Sequence, residues 1–435
     1  VERVFSAPPQ GLEGALEVPG DKSLSHRAVL FAALAEGVSH VRGVLDSQDV
    51  RATLSAVTAL GADVDVTPQP DSSLEGTVRG WGDQGPRSPG CNVDCGNSGT
   101  TARLLLGVLA GWPITVTLTG DASLSSRPMQ RVIDPLSRMG AKFESDDGTL
   151  PVTVHGAQSL SPLAYRTTVA SAQVKTAILL AGLRASGGVR VTEPAPSRDH
   201  TERLLPAFGI PVNVDPVTHA ASLCGPVIPR SVDVSVPGDP SSAAFLVAAA
   251  LLVEGSDVLL RGVSLNPTRT GFVRVLQRMG AQITLLDLES MGAEPVGSIR
   301  TRSGARLSAT TVSSAEVPSL VDEVPVLAVV ASQASGTTRF EGVHELRVKE
   351  SDRLAAVAEG LHALGVAVRT GDDWLEVDGP VTLRGATLDS RGDHRLAMSW
   401  ALAGLIATQP ITVSGFEAVD VSYPGFAQDL ASLGA

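Results

Sequence analysis

Residues 49–66 read DVRATLSAVTALGADVDV. From Asp49 to Leu60 the stretch is amphipathic, which predicts a helix with one face against a core. Gly61 reads as the residue closing that helix, because glycine takes the left-handed backbone that a C-terminal cap requires. Ala62 to Val66 then alternates apolar with polar residues, as a half-buried strand does. The same tail recurs along the chain, as Met139-Gly140-Ala141, Phe208-Gly209-Ile210, Met279-Gly280-Ala281, Leu364-Gly365-Val366 and Leu433-Gly434-Ala435, at intervals of about 70–85 residues. That interval exceeds the usual solenoid periods. Thr270 to Met279 repeats the amphipathic pattern before its own tail.

Upstream of each tail lies a second, more apolar segment: Ser25–Leu34, Thr100–Leu109, Ala172–Leu183, Ser242–Leu252, Leu320–Ala331 and His394–Ile406. Several are apolar on nearly every face, which predicts helices buried inside a domain. Strand-like runs follow, such as Ser39–Val44, Ile114–Thr119, Val189–Glu193 and Ile411–Ser414. The unit is therefore strand, buried helix, strand, surface helix, then one or two strands. Six copies divide most simply as three plus three. Related segments, Val18-Pro19-Gly20-Asp21-Lys22-Ser23 and Val236-Pro237-Gly238-Asp239-Pro240-Ser241, open the first and fourth copies and mark the crossings between two lobes. Residues before Val18 have no unit of their own and are expected to pair with the second lobe. The expectation is an α/β protein with one lobe at 19–236 and a discontinuous one at 1–18 and 237–435.

Composition agrees with this size. A chain of 435 residues suits two or three domains, and 43% apolar with 18% charged residues describes a globular protein with ample core. Aromatics are only 3%, so the cores are built from small residues that let helices approach closely. The formal charge is 34 − 46 = −12, which argues against a nucleic-acid partner. No apolar run suits a bilayer and no signal-peptide layout opens the chain, so a soluble cytoplasmic protein is expected. Three cysteines, an odd number, fit a reducing compartment. Cys91 and Cys95 lack metal-ligand spacing and are read as core thiols.

The buried helices carry their polar residues at their N-terminal ends. The first offers Asp21 to Arg27, the second Gly96 to Arg103, the third Ala170 to Lys175, the fifth Asp322-Glu323 and the sixth Asp393-His394-Arg395. Helix N-termini expose unpaired N–H groups and the positive end of the helix dipole, so they attract anions. Gly99 adds a place where a ligand approaches the backbone closely. Ser23, Ser98 and Ser171, each taken alone, read as helix caps ahead of ligand binders. Repetition favours a ligand, because Lys22, Arg27, Arg103, Lys175 and Arg395 lie on otherwise apolar helices and a buried cation without a partner is costly. An anionic ligand is the economical explanation. Three loops add Arg127-Pro128, Ser197-Arg198-Asp199-His200, and the charged run Leu346 to Arg353, for which a structural ion-pair network is the plain alternative.

Taken in register, the Pro19–Ser23 segment, Gly96–Thr100, Arg127-Pro128, Ser171–Gln173, Arg347–Arg353 and Asp393–Arg395 closely resemble the 5-enolpyruvylshikimate-3-phosphate synthase family of enolpyruvyl transferases. The resemblance covers essentially the whole chain. It implies two lobes of three βαβαββ units each, with buried helices aiming their N-termini into an interlobe cleft that closes like a clamp. It implies transfer of the enolpyruvyl group of phosphoenolpyruvate to the 5-hydroxyl of shikimate-3-phosphate, through a tetrahedral intermediate, with no metal or organic cofactor. Lys22, Ser23, Arg27, Ser171, Ala172, Gln173, Ser197, Asp322 and Lys349 are implied for shikimate-3-phosphate. Lys22, Asn97, Gly99, Arg127, Gln173, Arg353 and Arg395 are implied for phosphoenolpyruvate. Asp322 resembles the base and Glu350 the acid, with Lys22 sharing proton transfer. A monomer is expected.

The pattern departs from the better-known subtype at Glu345, Val421, Ala172 and His200. Ala170–Lys175 with Asp199-His200-Thr201 resembles instead a second bacterial class, whose glyphosate-tolerant members carry Ala at the place of Gly99. Gly99 here implies inhibition by glyphosate. The sister transferase acting on UDP-N-acetylglucosamine commonly relies on a Cys in the loop matching Gly120–Met129, and this loop has none. An RNA-end-processing protein on a related repeat needs a positive groove that the acidic balance disfavours. A repeat scaffold leaves Asp322, Glu350 and the arginines unexplained.

Overall fold

The computed structural model describes residues 1–435. The chain divides into two compact units, one of Val1–Pro19, Pro237–Ser290 and Pro295–Ala435, the other of Gly20–Val236 with Met291–Glu294. The former is called unit 1 and the latter unit 2. Each has its own apolar core, centred in unit 2 on residues such as Phe31, Leu105 and Leu179, and in unit 1 on Phe245, Val329 and Trp400.

Six small sheets surround these cores. In unit 2 each sheet has four strands with one pattern, seen in Val234–Ser235, Val38–Leu45, Ser73–Arg79 and Asp63–Pro68: the first pair is parallel and the next two antiparallel. The sheet led by Leu163–Arg166 and that led by Val93–Asp94 repeat it. In unit 1, Glu13–Glu17 runs parallel to Asp257–Ser264. The sixth sheet departs from the repeat: it has three strands, and Ile411–Ser414 takes its antiparallel neighbour from Glu2–Phe5. A pairing partner more than 400 residues away in sequence leaves no local trace in the strand itself.

The six tail glycines, Gly61, Gly140, Gly209, Gly280, Gly365 and Gly434, all have positive φ, between +79° and +114°. A Cβ there would meet the adjoining carbonyl, so the repeated glycine is the residue that lets each surface helix end and the chain reverse. The surface helices span Gln48–Ala59, Gln130–Met139, Gly271–Arg278, Arg353–Ala363 and Phe426–Ser432, while the third copy is cut to His200–Leu204.

The buried helices are Lys22–Leu34, Gly99–Ala110, Ala172–Gly182, Pro240–Leu252, Val324–Ala331 and His394–Gly404. Their starts are set by side chains that accept from the first turn: Asp21 from Leu24 N, Ser98 from Thr101 N, Ser171 from Val174 N, Asp239 from Ser241 N and Asp393 from Arg395 N. The fifth instead begins with a 3-10 turn, Val321–Glu323. Small residues let these helices touch. A Cβ on Gly107 would lie 2.3 Å from the carbonyl oxygen of Ala177 on the neighbouring helix. Gly107→Ala is therefore expected to push two backbones apart and cost about 1–3 kcal/mol, read as a lowered urea midpoint.

Cys95 is buried, and burial pushes its thiol up to about 12. Cys91 is exposed, contrary to the core position expected for it, because it lies in a loop before the Val93–Asp94 strand. No helix is long and apolar enough to cross a membrane.

Candidate active site

In unit 2 the first buried helix starts with Asp21 as its cap, which leaves Ser23 inside the first turn and free of that duty. Ser98 and Ser171, by contrast, are caps. Lys22 Nζ lies 2.5 Å from Asp49 Oδ2 on the adjacent surface helix. Arg27 is buried, and its guanidinium donates to Thr201 Oγ1 at 2.8 Å, Ser23 O at 2.9 Å and Thr176 Oγ1 at 3.0 Å. Burial lowers its basicity to about 10, against the pull of Glu202 and Asp21, so it stays charged at neutral pH. Arg198, from the loop before the His200–Leu204 helix, approaches Ser23 Oγ at 3.5 Å. It joins Ser23 and Arg27 in one polar group that no local motif announces.

A second group in the same unit gathers Asn97, Gly99, Arg127 and Gln173. Arg127 donates to Asn97 Oδ1 at 2.7 Å and to Ser123 Oγ at 3.0 Å, and Asn97 donates to Asp121 at 2.6 Å. Arg127 Nε is buried with no hydrogen-bond partner, an orphan donor beside the helix start at Gly99. Gln173 has a fixed amide: its oxygen accepts from Arg103 at 2.8 Å and its nitrogen donates to Thr100 Oγ1 at 2.9 Å. Arg103 also donates to Pro128 O at 3.1 Å, so one guanidinium ties Gln173 to the Arg127 loop. Ala172, the first residue of its helix, has no polar side chain to add.

Lys175 corrects the argument from unpaired cations. It is buried between Glu193 (2.8 Å) and Glu202 (2.7 Å). Burial works against its charge, but Glu202 and Glu193 outweigh this and hold the ammonium above the usual lysine value. The ammonium thus has internal counter-ions and needs no ligand. Ser197 Oγ and Ser171 N–H meet the same Glu193 carboxylate. His200 is buried with Nδ1 2.8 Å from Glu294 Oε1.

In unit 1 the charged run sorts into two parts. Arg347 pairs with Asp352 at 3.0 Å and donates to the main chain of Gly371 and Asp372, the structural role offered as the plain alternative. Asp352 caps the helix that Arg353 begins. Arg353 is fully buried and binds three carboxylates: Asp393 at 2.7 Å, Asp322 at 3.0 Å, and Glu350. Burial alone would lower its basicity; Asp393, Glu350 and Asp322 reverse this and raise it above the ordinary arginine value. Lys349 and Arg395 stand 3.7 Å from the Asp322 carboxylate, and Arg395 donates to Asp322 O at 3.2 Å. Arg395 also faces Glu323 at 3.4 Å, itself held by Ser241, which receives a bond from the buried Arg269. Asp322, Lys349, Glu350, Arg353 and Arg395 are therefore one connected cluster.

Six mixed sheets around two cores form a fold that solved enolpyruvyl transferases share. The enolpyruvyl transferase NikO of Streptomyces tendae shares this fold at a TM-score of 0.76, covering 100% of this chain and 98% of that one, at 20% identity. The chain belongs to the EPSP synthase (3-phosphoshikimate 1-carboxyvinyltransferase) family, whose model matches residues 6–430. A 3-phosphoshikimate 1-carboxyvinyltransferase of Halorhodospira halophila is 48% identical over 429 residues, 98% of this chain and 95% of that protein. One from Gloeothece citriformis is 46% identical over 99% of this chain and 96% of its own length. The structure of the EPSP synthase from Acinetobacter baumannii has a TM-score of 0.87 and 40% identity, covering 100% of this chain and 98% of that one.

Proposed function

We propose that the chain transfers the enolpyruvyl group of phosphoenolpyruvate to the 5-hydroxyl of shikimate-3-phosphate, releasing phosphate in the synthesis of aromatic amino acids. The observation that carries the chemistry is the Arg353 knot, which brings Asp322 and Glu350 onto one guanidinium. An addition needs a base for the attacking hydroxyl and an acid for the methylene carbon of the enol. In this reading Asp322 takes the proton from the 5-hydroxyl as its oxygen bonds to C2, and Glu350, entering this step in its protonated form, delivers a proton to C3. The return step removes a proton from the new methyl group and expels phosphate, regenerating the double bond. Lys349, Arg353 and Arg395 stabilise the anionic intermediate, and Lys22 shares the proton traffic.

Ser23, Arg27, Ser171, Ala172, Gln173, Ser197 and Lys349 are assigned to shikimate-3-phosphate. Asn97, Gly99, Arg127, Gln173, Arg353 and Arg395 are assigned to phosphoenolpyruvate, with Lys22 reaching both. The orphan Nε of Arg127 supports an anion there, as guanidinium forks suit carboxylates and phosphates. The protein is placed in the cytoplasm as a monomer, and its three free thiols suit that compartment.

Reaction in D2O tests the addition–elimination route. Protonation at C3 makes a methyl group carrying one solvent deuterium, and elimination leaves deuterium in the vinyl group of the product. Proton NMR should show that label; product formed without any deuterium contradicts the route.

Gly99 supplies a second test. A Cβ there would sit 2.8 Å from Arg103 Nη1, so the guanidinium must shift and loosen its bond to Gln173 while the backbone stays in place. Gly99→Ala should fold normally, raise KM for phosphoenolpyruvate and weaken glyphosate inhibition by about tenfold or more, the scale of one methyl group in a fitted pocket. Tight inhibition of the variant beside a resistant parent would contradict this.

A further inference from the structure

Glu193 lies just beyond the Gly188–Thr192 strand, its side chain only 1% exposed. Three donors meet on its carboxylate. The Ser171 N–H donates to Oε1 at 2.7 Å, while Ser197 Oγ (2.7 Å) and Lys175 Nζ (2.8 Å) both reach Oε2. Lys175 is itself 2.7 Å from the buried Glu202. A buried carboxylate persists only where charge and hydrogen bonds compensate it. Here the compensation runs through a helix start and a loop: Ser171 caps the Ala172–Gly182 helix, and Ser197 lies four residues past Glu193. One carboxylate thus sets the distance between the two serines.

We propose that Glu193, with Lys175 as its counter-ion, is a positioning residue for the phosphate of shikimate-3-phosphate. The inference rests on the assignment of Ser171 and Ser197 to that phosphate. Glu193 does not touch the substrate; it holds the Ser171 main chain and the Ser197 oxygen on its two carboxylate oxygens. Lys175 has a second purpose. Because it gives Oε2 another donor, the Ser197 hydrogen can turn to a phosphate oxygen and leave the carboxylate paired. A role in stability alone predicts no preference between substrates, whereas a positioning role does.

The test is steady-state kinetics of Glu193→Asp, Ser197→Ala and their combination in the full-length enzyme, with thermal melts alongside. Asp keeps the charge but draws the carboxylate back by about 1.5 Å, one carbon–carbon bond, so it cannot reach both serines. KM for shikimate-3-phosphate should rise about tenfold, the scale of one net hydrogen bond lost, with kcat and KM for phosphoenolpyruvate changed much less. The double variant should be little worse than Glu193→Asp, since both act on the same contact. Should Glu193→Asp fold poorly, Glu193→Gln keeps the shape but offers one acceptor oxygen to three donors, and the same selective rise is expected. Equal changes in both KM values, or additive effects in the double variant, would overturn the proposal. A raised KM in Ser197→Ala with none in Glu193→Asp or Glu193→Gln would overturn it alone. An unchanged KM in Ser197→Ala would instead remove the phosphate assignment beneath it.

Discussion

Asp322→Ala is expected to lower kcat by about 10²–10⁴-fold, the range associated with loss of a positioned proton-transfer group. The side chain is 11% exposed and lies at the centre of the unit 1 cluster, its carboxylate 3.0 Å from Arg353 and 3.7 Å from Lys349 and Arg395. No neighbouring carboxylate can take its place without breaking another contact. Glu350 is engaged by Arg353, and Asp393 is committed to Arg353 and to the cap of its own helix. The fold should survive, because Arg353 retains two of its three carboxylates. Asp322→Asn is the sharper variant, since it keeps the shape while removing the ability to accept a proton. Both should melt close to the parent and differ from it mainly in kcat. Turnover within tenfold of the parent would exclude Asp322 as the base.

Arg353→Ala is expected to cost the largest stability of any single change in unit 1. Removing this guanidinium leaves Asp322, Glu350 and Asp393 facing one another where the cation stood. Breaking a buried ion pair by deleting one partner costs about 3–5 kcal/mol. Arg353→Lys should recover little, because one ammonium cannot direct parallel forks at three carboxylates. Urea unfolding followed by circular dichroism measures this, and a midpoint equal to the parent's would show that the cluster contributes nothing to folding. Activity should also fall, since Asp322 and Glu350 lose their common anchor. A stable Arg353→Ala variant with full activity would contradict both roles assigned to Arg353.

The repeats were legible because the signal is local. Each tail carries a glycine at a backbone position that disfavours a Cβ, and all six such glycines have the expected sign of φ. The buried helices were legible for a similar reason, since the run from Ser242 to Leu252 is apolar on every face and lies wholly inside its helix. What escaped depends on partners distant in sequence. Lys175 looked like an unpaired cation because Glu193 and Glu202 lie 18 and 27 residues further on, in no recognisable motif. Ser98 and Ser171 proved to be caps and Ser23 did not, a distinction set by Asp21 two residues earlier. Arg198 and Arg347 are both charged loop residues in the sequence, yet one approaches Ser23 and the other braces Asp352. Charge and spacing identify candidates; only the fold assigns their partners.

Phosphate release by the purified protein tests the central claim most directly, with phosphoenolpyruvate and either shikimate-3-phosphate or UDP-N-acetylglucosamine as acceptor. Release with shikimate-3-phosphate alone, and its loss in Asp322→Ala, is the predicted result. Release with the sugar nucleotide, or with neither acceptor, would contradict the account.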